Sequence, residues 1–152
     1  AIMKIAFGAD EHPAVVDHIR GWLEGQGHQV IWYGPAAGDT QPWPQVARQV
    51  AEDVAAGRAD EGGLCCWTGR GGSMAANKVA GVRAALCADA ETARGARLWN
   101  RANVLCLSLR TTTPALADEI LKKWFETAYQ PNPTDDACLA QIEELDAQRR
   151  ES

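Results

Sequence analysis

Five short apolar runs punctuate the chain, separated by segments with helix-like patterning. The runs are MKIAFGAD at 3–10, QVIWYG at 29–34, GGLCCWTG at 62–69, VRAALCAD at 82–89 and NVLCLSLR at 103–110. Their apolar residues do not alternate cleanly with polar ones, which is the pattern of strands covered on both faces. Residues 13–26 predict a helix that starts at Pro13 and stops near Gly27, and 44–57 one that starts at Pro44 and ends at Gly57. Proline in a first turn and glycine past a last one are the expected boundary marks. Residues 71–79 and 90–99 predict two shorter helices. The helix over 114–127 follows TTTP, an N-cap signal, and carries Leu116, Ile120, Leu121 and Trp124 at helical spacing. A last helix over 135–150 is polar and acidic, with Leu139, Ile142 and Leu145 as its apolar stripe. So thin a stripe suits docking on another body, such as a partner subunit.

Regular alternation of strand and helix implies a parallel sheet with helices on both faces. The expected class is α/β, a three-layer α/β/α sandwich around a five-stranded parallel Rossmann-like sheet. The length of 152 residues fits one domain, 1–152, with 130–152 as a C-terminal arm. Ligands of such sheets bind beyond the carboxyl ends of the strands. Those ends are Gly8–His12, Cys66–Gly72, Ala88–Ala90 and Ser108–Thr111. The interior segment that reads as most flexible is 34–44, GPAAGDTQPWP.

Composition removes several classes of function. A net charge of −5, with no long Lys/Arg cluster, argues against a nucleic-acid binder. No apolar run approaches the ~20 residues needed to span a bilayer, and no signal-peptide pattern precedes the first strand. The five cysteines are odd in number and form no CxxC pair, which suggests reduced thiols in a cytoplasmic protein. His12, His18 and His28 lie far in sequence from the cysteines, so no metal site is expected.

The stretch that carries chemistry is CCWTGRGGSMAANK, residues 65–78. Within it, Thr68–Ser73 joins the third run to a helix. Backbone N–H groups in such a turn converge, and the helix terminus adds partial positive charge, so the turn reads as an anion hole. It equally reads as a tight strand–helix connection. The P-loop spacing is absent, and a dinucleotide fingerprint should follow the first strand instead. Cys66, at the end of its run, sits where amides and a helix dipole favour a thiolate, able to act as nucleophile or base. Cys65 should face the other side of the sheet, into the core.

LCCWTGRGGSMAANK at 64–78, GVRAALCADAETARGARLWNRANVL at 81–105 and KIAFGAD at 4–10 resemble the ribose-5-phosphate isomerase type B family, which includes the galactose-6-phosphate isomerase subunits. The resemblance covers about residues 3–127. It implies interconversion of aldose and ketose phosphates with neither metal nor cofactor. A base moves a proton between C1 and C2 while an anion hole holds the enediolate. By the same resemblance Cys66 is the base and Thr68 supports it. Gly69, Arg70, Gly71, Gly72 and Ser73 form the hole. Asp10 contacts the sugar, Asn100 binds substrate, and Arg110 holds the phosphate. A homodimer or homotetramer is implied, with the site built across the subunit interface.

Departures from the family pattern sharpen these expectations. Trp99 stands where the family has its ring-opening histidine, and so large a side chain would line and shorten the substrate pocket. Asp10-Glu11-His12 replaces a D-H pair, which leaves His12 as either a phosphate contact or a helix-start surface residue. The family's C-terminal G-G-R-H-x-x-R is missing, and Arg149 and Arg150 come too late to align with it. Arg70 or Arg101 is the available compensating charge. Trp67 would narrow the pocket mouth or, more simply, pack under a loop. Arg94 and Arg97 read as a solvated helix face, and Lys78 as a helix end. Without a ring-opening group, a tetrose phosphate becomes a candidate beside ribose 5-phosphate. The alternative is a non-catalytic sugar or sugar-acid binder on the same fold. A cysteine hydrolase would need a partner histidine that the sequence does not offer.

Overall fold

The expected alternation is realised in full. A computed structural model of the chain describes residues 1–151, with side chains described through Arg149. Its elements are β1 Lys4–Ala9, α1 Ala14–Gly25, β2 Gln29–Tyr33, α2 Trp43–Ala55, β3 Glu61–Cys66 and α3 Arg70–Ala76. They continue with β4 Ala84–Leu86, α4 Ala90–Asn100, β5 Val104–Ser108, α5 Pro114–Glu126 and α6 Pro133–Glu151. The strands form one sheet in the order β2-β1-β3-β5-β4, and every pairing is parallel. Asp89 and Thr113 cap α4 and α5 by accepting the N–H groups of Thr92 and Leu116.

Two cores sandwich the sheet. On one face Val16, Ile19 and Leu23 of α1, Ala93 and Ala96 of α4, and Ile120, Leu121 and Trp124 of α5 cover Ile5, Phe7, Cys65, Leu105 and Leu107. On the other face α2 and α3 bring Val46, Val50 and Ala76 onto Ala6, Leu64, Val104 and Cys106. Residues adjacent in a strand point to opposite faces. Cys65 therefore belongs to the first core, as expected, and Cys66 points towards α2 and α3.

The structure corrects some local expectations. β4 is three residues long, against the eight-residue run at 82–89. Side chains take over its flank: Asn77 Oδ1 accepts from the Ala84 N–H at 2.8 Å, and Asn103 Oδ1 from the Arg83 N–H at 2.7 Å. The 34–44 segment is pinned rather than loose. The Gln41 N–H donates to the Asp10 carbonyl at 3.0 Å, and Glu11 and Thr40 form an antiparallel bridge. Arg97 is not a solvated residue. Its guanidinium pairs with Glu61 at 2.7 Å, where the two side chains are 14% and 10% exposed. Arg94 does lie on the outer face, paired with Glu91.

α6 runs beside the β4 edge. Its Asp146 carboxylate accepts the Gly81 N–H at 2.9 Å, and Arg149 donates to the Asn77 carbonyl. The apolar stripe stays largely uncovered, with Leu145 57% exposed. It lines a cleft of about 550 Å³ together with Val82 and Trp99.

Candidate active site

β1, β3 and β5 lie side by side, with Ala9 opposite Cys65 and Cys66 opposite Ser108. Asp10, Cys66 and the segment 108–110 are thereby brought into one row at the carboxyl edge of the sheet. The β5 end is tied to the β3 end: the Leu109 N–H donates to the Cys66 carbonyl at 2.8 Å, and the Arg110 N–H to the Trp67 carbonyl at 2.9 Å. The Ser108 hydroxyl donates to the same Trp67 carbonyl at 3.0 Å.

The turn after Cys66 needs glycine for a local reason. Gly69 has φ +76°, and a Cβ there would lie 2.4 Å from Leu86 Cδ1 and 3.0 Å from the Leu107 carbonyl carbon. Only with glycine can the backbone turn this closely into α3. The Gly72 N–H then points back and donates to Cys66 Sγ at 3.4 Å. The N–H groups of Arg70 and Gly71 are first-turn donors with no intrahelical acceptor.

Cys66 is only 7% exposed. The other three buried thiols sit in different surroundings. Burial raises the pKa of Cys65 and Cys106 far above the ordinary thiol value, and pushes Cys87 up to about 12. These thiols stay protonated and inert, whereas Cys66 sulfur is held as the acceptor of a turn amide.

Asp10 supplies an acceptor of another kind. Its Oδ1 is buried and has no hydrogen-bond partner, which is rare for a carboxylate. Burial first, and then the charge of Glu11, raises its pKa above the ordinary value of 3.8. A hydroxyl donor arriving beside Cys66 would satisfy that oxygen. Thr68, Arg70 and Arg110 are exposed around the turn.

Other expected site residues are placed elsewhere. Both ring nitrogens of His12 are engaged, Nδ1 with the Pro35 carbonyl at 3.0 Å and Nε2 with Asp17 at 2.6 Å. The ring also packs against Trp32. His12 thus clamps the start of α1, the helix-start one of the two places its sequence position offered. The Asp17 carboxylate is the main cause of a pKa raised above 6.5. Because the folded-state pKa is the higher one, this stabilisation is fully present below 6.5 and is lost as pH rises through the folded value. Asp17→Asn should therefore lower the melting temperature at pH 5.5 and have much less effect at pH 9. An equal loss at both pH values in thermal denaturation would contradict the clamp.

Trp99 and Asn100 are not brought to Cys66 within one chain. α4 starts at the carboxyl edge of the sheet and runs back across it for 11 residues, about 16 Å at 1.5 Å per residue. Both residues therefore lie towards the opposite edge. The Trp99 indole folds onto Gly95 and is 52% exposed. Trp67 does not pack under a loop; it is 56% exposed.

One site residue was not read from the sequence. Trp43, at the start of α2, rests on Gly71: a Cβ at Gly71 would lie 3.0 Å from ring carbons Cδ2 and Cε3. The signal was present as an aromatic between two prolines, in a loop that leads to the functional edge of the sheet. Among the described residues no group of His, Cys, Asp and Glu is placed to hold a metal ion, and no helix is long and apolar enough to cross a membrane.

Comparison with known proteins bears on this geometry. A family profile described as Ribose/Galactose Isomerase matches residues 5–142. The galactose-6-phosphate isomerase subunit LacB of Clostridium acetobutylicum is 37% identical over 144 residues, covering 94% of this chain and 83% of that protein. The D-erythrulose-4-phosphate isomerase of Pectobacterium atrosepticum is 36% identical over 133 residues, covering 85% and 86%. Among solved structures, ribose-5-phosphate isomerase B of Clostridium thermocellum superposes with a TM-score of 0.91 at 34% identity, covering 96% of this chain and 99% of that one.

Proposed function

We propose, from the premise that the chain belongs to the ribose/galactose isomerase family, that Cys66 is the proton-transferring base of this aldose–ketose isomerase of sugar phosphates. The observation that carries the assignment is the buried Cys66 sulfur accepting the Gly72 N–H at the mouth of the glycine turn. In the proposed reaction the thiolate removes the proton at C2 of an open-chain aldose phosphate. The C2–H bonding pair forms the C1–C2 double bond, and the carbonyl pair moves onto O1. The resulting enediolate carries its charge on oxygen, where the N–H groups of Arg70 and Gly71 would hold it, those of Gly69 and Ser73, expected in the hole, being engaged within the turn. The thiol returns its proton to C1 while a hydroxyl proton passes between O2 and O1, which yields the ketose. Asp10 accepts from a sugar hydroxyl, Thr68 lines the rim beside Cys66, and Arg110 with Arg70 supplies positive charge for the phosphate.

Asn100 and Trp99 enter this scheme only from a second copy of the chain. Their place at the far end of α4, and the uncovered stripe of α6, favour a homodimer in which residues 130–152 dock on the partner. Trp99 offers no titratable proton to open a sugar ring. A four-carbon phosphate, which cannot cyclise through its phosphorylated end, is the substrate class that needs none. Solvent-deuterium exchange, at C2 of four-, five- and six-carbon aldose phosphates and at C1 of the ketose phosphates, followed by NMR, tests this choice. The four-carbon compounds should exchange fastest; faster exchange of ribose 5-phosphate would refute it.

A further inference from the structure

Trp43 occupies an unusual place for a large aromatic. It opens α2 between Pro42 and Pro44, which restrict the backbone on either side. Its indole lies against Gly71, yet 44% of the residue remains exposed. The loop that delivers it is fastened to the site, because the Gln41 N–H donates to the Asp10 carbonyl at 3.0 Å. α2 also covers the sheet face towards which the Cys66 sulfur points, and its Val46 packs in the same core as Leu64 of β3. The indole therefore lies on the glycine turn, at the end of a loop tied to the Asp10 main chain. Trp67, directly after Cys66, is a second exposed aromatic.

The geometry points to Trp43 as the specificity-determining wall of the sugar site, the side chain that limits how long a sugar chain fits beside the glycine turn. This rests on the isomerase reading above and goes beyond it by naming the residue that selects a four-carbon chain. The indole has no group that could replace a proton donor on the sugar, so its contribution is shape and apolar contact with the C–H faces. Gly71 is part of the same device. A side chain at position 71 meets the ring at 3.0 Å, so Gly71→Ala would press on the wall and shift it slightly.

The test separates binding from catalysis. Calorimetry would compare two phosphorylated sugar acids, 4-phosphoerythronate and 5-phosphoribonate, on wild type, Trp43→Ala, Trp43→Phe and Gly71→Ala. Wild type should prefer the four-carbon acid. Trp43→Ala should reduce that preference by about tenfold, the scale of an added methylene in a shaped pocket. Trp43→Phe, which keeps a ring and guards against a folding artefact, should retain most of it. Gly71→Ala should move the preference in the direction of Trp43→Ala. The proposal is overturned if Trp43→Ala weakens both acids equally, or if wild type binds neither or does not discriminate between them. The isomerase reading is tested apart from this, by C2 exchange in wild type. An enzyme without exchange but with a Trp43-dependent chain-length preference would lose that reading and keep the wall.

Discussion

Replacing Cys66 with alanine is expected to lower kcat for C2-proton exchange by about 10³-fold, the middle of the range for a general base. The substitution removes one sulfur atom. In the resting structure that atom is the hydrogen-bond acceptor of the Gly72 N–H and little else of consequence. The turn is held independently by the Gly69 N–H to the Cys66 carbonyl and the Ser73 N–H to the Gly69 carbonyl, and both of these remain. Folding should survive, KM should change little, and kcat should carry the loss. Cys66→Ser is the sharper control. It keeps the size and an acceptor, but its hydroxyl is a far weaker source of anion than a thiol, so its activity should resemble that of the alanine variant. A Cys66→Ala enzyme within tenfold of wild type, with an unchanged melting curve, would remove Cys66 from the reaction.

The largest effect on stability is expected at Arg97. Its Nη2 pairs with Glu61 at 2.7 Å, Nη1 donates to the Ala102 carbonyl at 2.8 Å, and Nε donates to the Thr127 carbonyl at 3.2 Å. The guanidinium also lies 4.7 Å from the ring centre of Trp124, whose Nε1–H donates to Glu61 at 2.9 Å. Glu61 begins β3, Arg97 lies on α4, and Trp124 and Thr127 lie at the end of α5, so one cation ties three elements at the amino edge of the sheet. Arg97→Ala leaves the Glu61 carboxylate buried without a counter-charge, which costs about 3–5 kcal/mol. Urea unfolding measures this directly, and the melting temperature should fall by on the order of 10 °C. Arg97→Met combined with Glu61→Gln removes both charges while keeping an acceptor for Trp124, and should recover much of the loss. If the double variant is as unstable as Arg97→Ala, the buried charge is not the cause.

The sequence showed most of the fold because proline and glycine mark the helix ends and the apolar runs are short and continuous. The carboxyl-edge row was legible too, since the glycine turn and the thiol are contiguous in the chain. What was hidden depends on distance. Arg97 looks like a surface residue because its counter-charge, Glu61, lies across the sheet and carries no local mark. Trp43 read as loop because nothing nearby in sequence reveals that it meets Gly71. The place of Asn100 was deducible in principle. A crossover helix that begins at the carboxyl ends of the strands must finish near their amino ends, so a residue in its last turn cannot join a site at its start. His12 was ambiguous because Asp17 and Pro35 together decide what its ring does.

The short β4 has a consequence for how copies of this protein can meet. A sheet margin invites further strands in proportion to the backbone groups it leaves unpaired. Here that margin is three residues long, the Asn77 side chain occupies both the Ala84 N–H and its carbonyl, and the acidic α6 runs alongside. Backbone-to-backbone extension from molecule to molecule has almost nothing to grip on this flank. Association there must proceed through side chains of complementary shape and not through added backbone pairing.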